Sequence, residues 1–199
     1  METLPKQRVA AVVLAAGAST RLGQAKQLVR VGGESLLRRT VRIAAEAGCF
    51  PVVAVLGYEA ERMQAELEGM PAEILMFPEW AEGMGSSLRY GMEAVRRRDP
   101  PSDAVMVLVC DQPRLSAEHL RALLTQHRIS AVPITASVYA GKAGVPAVFA
   151  REVFPELAGL QGDRGARDLI RRHADRVEGI AWSDGSADLD VPEDLRGVE

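Results

Sequence analysis

The chain has 199 residues, 47% of them hydrophobic, and a formal net charge of −3. That length favours one large domain, spanning 1–199, over two very small ones, and the slight acidity leaves no basic footprint for nucleic acid. No apolar run reaches membrane-spanning length, and the opening segment Met1 to Arg8 lacks the apolar stretch of a signal peptide, so the cytoplasm is the simplest expectation. Two cysteines and three histidines are spread too widely for zinc-ligand spacing; Cys49 and Cys110, in apolar surroundings, read as unpaired buried thiols.

In chain order, the apolar run from Val9 to Ala16 predicts a buried strand bounded by glycine. Gly17 to Gly23 follow as a loop of small residues that can bring backbone N–H groups close to an anion, with Arg21 and Lys26 at its far end. Gly32-Gly33 makes a turn, and a helix from Glu34 or Ser35 through Ala47 has apolar positions at helical spacing, ended by Gly48. Residues 51–56 read as a second buried strand, 59–68 as a helix and 72–77 as a third strand. The stretch 78–85 is irregular. Ser86-Ser87 then open a helix to about Arg98, stopped by Asp99-Pro100-Pro101. Residues 104–110 form the most apolar strand and deliver Asp111-Gln112-Pro113 at its carboxyl end, after which Ser116 is placed to cap a helix. Beyond this, strands are expected at 131–138 and 147–149, flanking Gly141 to Pro146. Short helices are expected at 151–157 and 164–173, and a strand end enters a last helix over 188–195.

Four successive strand–helix pairs predict an α/β three-layer sandwich, a mostly parallel central sheet covered by helices on both faces. In such sheets ligands bind beyond the carboxyl ends of the strands. Gly17 and Asp111 both fall at such ends, so one crevice can receive both.

The loop after the first strand is not a P-loop, since Gly23 is followed by Gln24, and its glycines do not have the dinucleotide spacing. It could be an ordinary glycine-rich turn with two solvated basic residues. What it matches is Leu14-Ala15-Ala16-Gly17-x-Ser19-x-Arg21-x-Gly23-x-x-Lys26, which resembles the signature of nucleotidyltransferases. Together with Gly83-Met84-Gly85-Ser86-Ser87-Leu88, Cys110-Asp111-Gln112-Pro113, Gly162-Asp163-Arg164-Gly165-Ala166-Arg167 and Asp188-Leu189-Asp190-Val191-Pro192-Glu193-Asp194, it resembles the MocA-like family, the molybdenum cofactor cytidylyltransferases. Two departures are Ala25, where proline is usual before the lysine, and Val191, where threonine usually precedes proline; neither removes a charge.

The resemblance implies a Rossmann-like nucleotidyltransferase fold that uses CTP and Mg²⁺ to cytidylylate molybdopterin for a molybdenum hydroxylase. Transient contact with that hydroxylase or its chaperone is implied, and neither nucleic acid nor membrane. It also implies roles. Lys26 contacts the α-phosphate, Arg21 clamps the β- and γ-phosphates, and Leu14, Ala15, Ala16, Gly17 and Ser19 line the triphosphate. Gly83, Ser86, Ser87 and Gln112 hold the nucleoside, while Gly144, Pro146, Gly162, Asp163 and Arg164 face the acceptor. Asp111 holds the metal, with Asp190 as second carboxylate.

Each role has a plainer counterpart. Asp111 can cap a turn before Pro113, Asp190 can cap the last helix, Ser86 and Ser87 can cap theirs, and Asp163 can cap the helix that follows. Trp80 and Trp182 can stack on a pterin or pack in the core. Three function classes stay open: the cytidylyltransferase, a same-fold transferase using GTP or another acceptor, and a cofactor-carrying chaperone without turnover.

Overall fold

The computed structural model describes residues 7–187 together with Leu189 and Asp194. Asp190 and the expected last helix lie outside the described residues. Strand β1 (Val9–Ala15) is buried along its whole length, as a sequence of seven apolar residues requires of a central strand. Its side chains alternate between the two faces of the sheet. Val9, Ala11, Val13 and Ala15 enter one core and Ala10, Val12 and Leu14 the other, which is what makes three layers of the fold.

A two-stranded hairpin, β2 (Arg30–Val31) and β3 (Glu34–Ser35), leads into helix α1 (Leu36–Glu46). Ser35 caps it, accepting from the Arg38 N–H, and Gly48 leaves it at φ +97°. Then come β4 (Val52–Leu56), α2 (Ala60–Glu66), β5 (Glu73–Met76), α3 (Met84–Arg96), β6 (Ala104–Val109) and α4 (Ala117–Ser130). The Ser116 hydroxyl accepts from the His119 N–H to cap α4, as its position suggested. The second half adds β7 (Ile134–Tyr139), β8 (Lys142–Ala150), α5 (Phe154–Leu157), α6 (Ala166–Arg172) and β9 (Val177–Ala181).

The seven-stranded sheet has the order β5-β4-β1-β6-β8-β7-β9. β5, β4, β1 and β6 are parallel; β8 runs antiparallel to both β6 and β7, and β9 is parallel to β7. One face carries α1, α2 and α4, and the other α3, α5 and α6. The expected mostly parallel α/β sandwich is thus what forms.

Three local expectations change. Lys142 to Pro146, expected between two strands, continues β8, because the turn at Ala140 and Gly141 (φ +47° and +71°) folds it back on β7. α3 begins two residues early, at Met84. β9 was not anticipated: at an edge its residues are only partly buried, so the apolar run that betrays the inner strands is missing.

The sheet also forks. β6 pairs with β8 as far as Val107 opposite Ala147, and the next residue of β8, Pro146, has no N–H to continue the ladder. β8 bulges here, since Ala136 faces Ala147 while the following Ser137 faces Gly144. The carbonyls freed by the bulge are taken up by side chains: Val145 C=O by Gln112 Nε2 (3.1 Å) and Tyr139 OH (3.0 Å), and Pro146 C=O by the Ser137 hydroxyl (2.8 Å).

Candidate active site

Beyond the carboxyl ends of β1 and β6, beside the fork, lies a cleft of about 450 Å³. Its floor is the loop after β1. The chain leaves Ala15, takes a left-handed residue at Ser19 (φ 51°), and returns through a 3₁₀ turn at Lys26–Leu28. Lys26 Nζ then meets Asp111 Oδ2 at 2.5 Å, bringing together residues 85 apart in sequence. Both side chains are about one-fifth exposed, so the pair borders the cleft rather than sinking into the core.

The opposite wall is the start of α3 pressed against residues 161–164. Gly85 N–H donates to Gly162 C=O at 2.7 Å, and Ser86 Oγ accepts from Gly162 N–H at 3.2 Å. Added Cβ atoms would lie 2.5 Å from Gly162 C at position 83 and 2.3 Å from Arg164 O at position 85, so the two motifs interlock only because these positions are glycine.

Leu14, Ala16, Gly17, Ser19, Arg21, Lys26, Gly83, Ser87, Asp111 and Asp163 all line the cleft. Asp163 does not cap α6, whose N-cap is Gly165. Ser87 does not cap α3 either: its hydroxyl donates back to Gly83 C=O at 3.2 Å.

The other residues expected at the site stand behind the cleft surface or beside it. Ala15 points into the core and offers its carbonyl alone. Ser86 is buried against Gly162, and Gln112 is buried holding the β8 bulge. Gly144 makes room for the Tyr139 ring, and Pro146 sits at the fork. Gly162 and Arg164 border a separate groove with Arg171 and Arg172. Motif spacing alone does not tell a residue that lines a cleft from one that braces its wall.

Trp80 lines the cleft, edge-on to Tyr58 at 5.6 Å between ring centres. Trp182 is a core residue, stacked on His119 at 4.6 Å. Leu189, whose N–H donates to Asp111 C=O at 2.9 Å, also borders the cleft. Sequence reasoning missed Gln27, Met84 and Leu22 in this lining.

Burial pushes the Cys110 thiol up to about 12, with the Asp111 carboxylate adding to the shift, so the residue next to Asp111 is no nucleophile at neutral pH. Burial pushes His119 and His127 down to about 4, and neither lines the cleft. Among the described residues no three metal-ligating side chains cluster. Two carboxylates, Asp111 and Asp163, border the cleft, which suits an ion like Mg²⁺ that takes one or two carboxylates and completes its shell with phosphate and water.

A glycine loop after the first strand, whose Lys26 meets Asp111 at the end of the neighbouring parallel strand, is the arrangement of a nucleotidyltransferase. Residues 11–177 match the MobA-like NTP transferase domain, and the chain belongs to that family. It is 33% identical over 192 residues to the nicotine blue oxidoreductase of Paenarthrobacter nicotinovorans, covering 92% of this chain and 91% of that one. It is 28% identical over 195 residues to purine catabolism protein PucB of Bacillus subtilis strain 168, covering 92% of each. The crystal structure of Rv0371c from Mycobacterium tuberculosis H37Rv is similar with a TM-score of 0.81 at 30% identity, over 96% of this chain and 97% of that one. Rv0371c has also been crystallised in complex with manganese, and that structure is similar with a TM-score of 0.76 at 29% identity, over 96% and 98%. The family so established is broader than the MocA-like branch that the motifs resemble.

Proposed function

We propose that the protein transfers CMP from CTP to the terminal phosphate of molybdopterin, releasing pyrophosphate. The observation that carries this reading is the Lys26–Asp111 pair at the mouth of the glycine loop. An acceptor phosphate oxygen attacks the α-phosphorus, and the bond from that phosphorus to the bridging oxygen breaks as pyrophosphate leaves. A phosphate monoester has its second pKa near 6, so the nucleophile is already ionised and needs no general base. The histidines fit that picture, since none borders the cleft.

The work left to the chain is positioning and charge neutralisation. Lys26, a compact point charge, is placed for the α-phosphate, and Arg21, a planar fork, for the β- and γ-phosphates. Asp111 would hold Mg²⁺, which when bound neutralises charge on the triphosphate; the manganese complex of Rv0371c supports a divalent ion in this family. The Lys26–Asp111 contact must open as substrate enters, Lys26 turning to phosphate and Asp111 to the ion. A cleft of 450 Å³ falls within the range of small-molecule sites. Trp80 and Met84 give it an apolar wall.

A second reading comes from the name of the P. nicotinovorans relative, an oxidoreductase. Against it stands the loop after β1, which lacks dinucleotide glycine spacing. One experiment separates the readings. The protein is incubated with molybdopterin and Mg²⁺ plus each of CTP, GTP, ATP and UTP, and pyrophosphate is followed; NADH and NADPH oxidation by a quinonoid dye is followed in parallel. Pyrophosphate release with CTP foremost is expected. Release with GTP alone moves the assignment to a guanylyltransferase. Reduced-nicotinamide oxidation without pyrophosphate overturns the transferase, and neither activity with cofactor retained leaves a carrier.

A further inference from the structure

We infer that Gln27 is the positioning residue that holds the loop after β1 in its anion-receiving shape; this deepens the nucleotidyl-transfer reading and rests on it. Gln27 follows Lys26 in the 3₁₀ turn and is 2% exposed. Its amide has two N–H donors, and both are spent on the loop: Nε2 donates to Ala15 C=O at 3.0 Å and to Gly17 C=O at 2.8 Å. The acceptor end, Oε1, receives the Ser19 hydroxyl at 3.4 Å, and that same hydroxyl accepts from the Lys26 N–H at 3.2 Å. The orientation of the amide follows from its partners. Exchanging its O and N would set an oxygen against two carbonyls.

The need for these donors comes from the sheet. β1 stays paired with β4 through Ala15, but with β6 only through Leu14 opposite Val109. At Ala15 the strand therefore ends, and Gln27 holds the carbonyl of its last residue as the chain leaves the sheet. The second contact sets a direction. In a trans peptide the C=O and the following N–H point opposite ways, so fixing Gly17 C=O on Gln27 turns the Ala18 N–H away from it. The contacts to Ser19 hold a non-glycine residue in the left-handed conformation, which successive N–H groups need to form an anion-binding concavity. Because Gln27 is next to Lys26, the same side chain sets the height at which the lysine leaves the turn. A glutamate here would keep the shape and lose every donor.

The test compares wild type with Gln27→Glu and Gln27→Leu by calorimetric titration with CTP, tripolyphosphate and cytidine at neutral pH, with melting curves for each. Two lost hydrogen bonds predict roughly 30-fold weaker binding of CTP and tripolyphosphate, with cytidine affinity unchanged. A role confined to stability would lower the melting temperature and leave the triphosphate-to-cytidine ratio where it was; that result, or undiminished triphosphate binding in a folded variant, overturns the inference. Wild-type protein that binds no triphosphate overturns the functional reading instead. Should neither variant fold, amide exchange in the wild type decides. Slow exchange of both Gln27 side-chain protons, quickened or slowed with the Ala18 N–H on adding tripolyphosphate, supports the role, and free exchange refutes it.

Discussion

Gly85→Ala is the most informative single change, because it strikes where the two motifs that build one wall of the cleft interlock. An added Cβ would stand 2.3 Å from Arg164 O, 2.9 Å from Gly162 O and 3.1 Å from Gln161 O. All three atoms are backbone, so no side chain can swing clear, and the 161–164 segment must retreat by about 1 Å to restore ordinary contact. That retreat breaks Gly85 N–H to Gly162 C=O and strains Gly162 N–H to Ser86 Oγ, together about 2 kcal/mol. Alanine recovers at most ~1 kcal/mol through its better helix propensity. The net loss is about 1 kcal/mol, or about 2–4 °C in melting temperature for a chain of this size. The effect on rate is larger: misplacing a substrate wall by 1 Å costs on the order of 10²-fold. Gly91→Ala, in the same helix, is the control. Its Cβ meets Val12 Cγ1 at 2.7 Å and Val55 Cγ2 at 2.9 Å, far from the cleft wall, so stability falls by about 1–3 kcal/mol while the folded protein keeps its rate. Pyrophosphate release and thermal melts on both variants give the comparison. Gly85→Ala at wild-type rate would mean that the contact between these two motifs does not shape the site.

Asp111→Asn removes the charge that faces Lys26 and that the proposed mechanism gives to Mg²⁺, and should lower turnover by about 10²–10³ with the fold intact by circular dichroism; near-normal turnover at low Mg²⁺ would reduce Asp111 to a turn residue. Ala16 lines the cleft, so Ala16→Gly should relax a preference for CTP toward GTP by an amount within ~1–3 kcal/mol, read as kcat/KM for each nucleotide. His119 and His127, pushed from 6.5 down to about 4 by burial, are held neutral by folding. The unfolded chain takes up their protons first, so the stability they protect is full above pH 6.5, declines as pH falls toward 4, and is level below that. Urea melts across that window should show a steeper decline in the native protein than in His119→Asn/His127→Asn, and parallel curves would contradict it.

The parallel half of the fold was legible because buried strands announce themselves as unbroken apolar runs, and Val9–Ala15, Val52–Leu56 and Ala104–Val109 are such runs. The cap at Ser116 was legible for a local reason: a hydroxyl needs only the N–H three residues on. The meeting of Gly17 and Asp111 at one cleft followed from the rule that ligands gather at strand carboxyl ends. What escaped was non-local. Gln112 carries a polar amide beside Asp111 in sequence, yet its partner is a carbonyl 33 residues away in a bulge that no periodicity foretells. Gln27 gave no signal, since its partners are carbonyls, and every residue has one. Ser86 and Ser87 share a motif and differ in duty, one bracing Gly162 and the other facing the cleft, because neighbours on a helix point about 100° apart.

The parting of β6 from β8 carries a consequence for how such a chain can change over generations. Below Val107 and Ala147 the two halves of the sheet are laced by a ladder, so neither can shift alone. Above that point they are separate banks, joined by single side chains such as Gln112. Replacements in the far bank, from the β8 bulge to the groove beside Arg164, leave the ladder under β1 and the Lys26–Asp111 pair untouched. A lineage built this way can vary the side chains of one bank with a local rearrangement rather than a new fold.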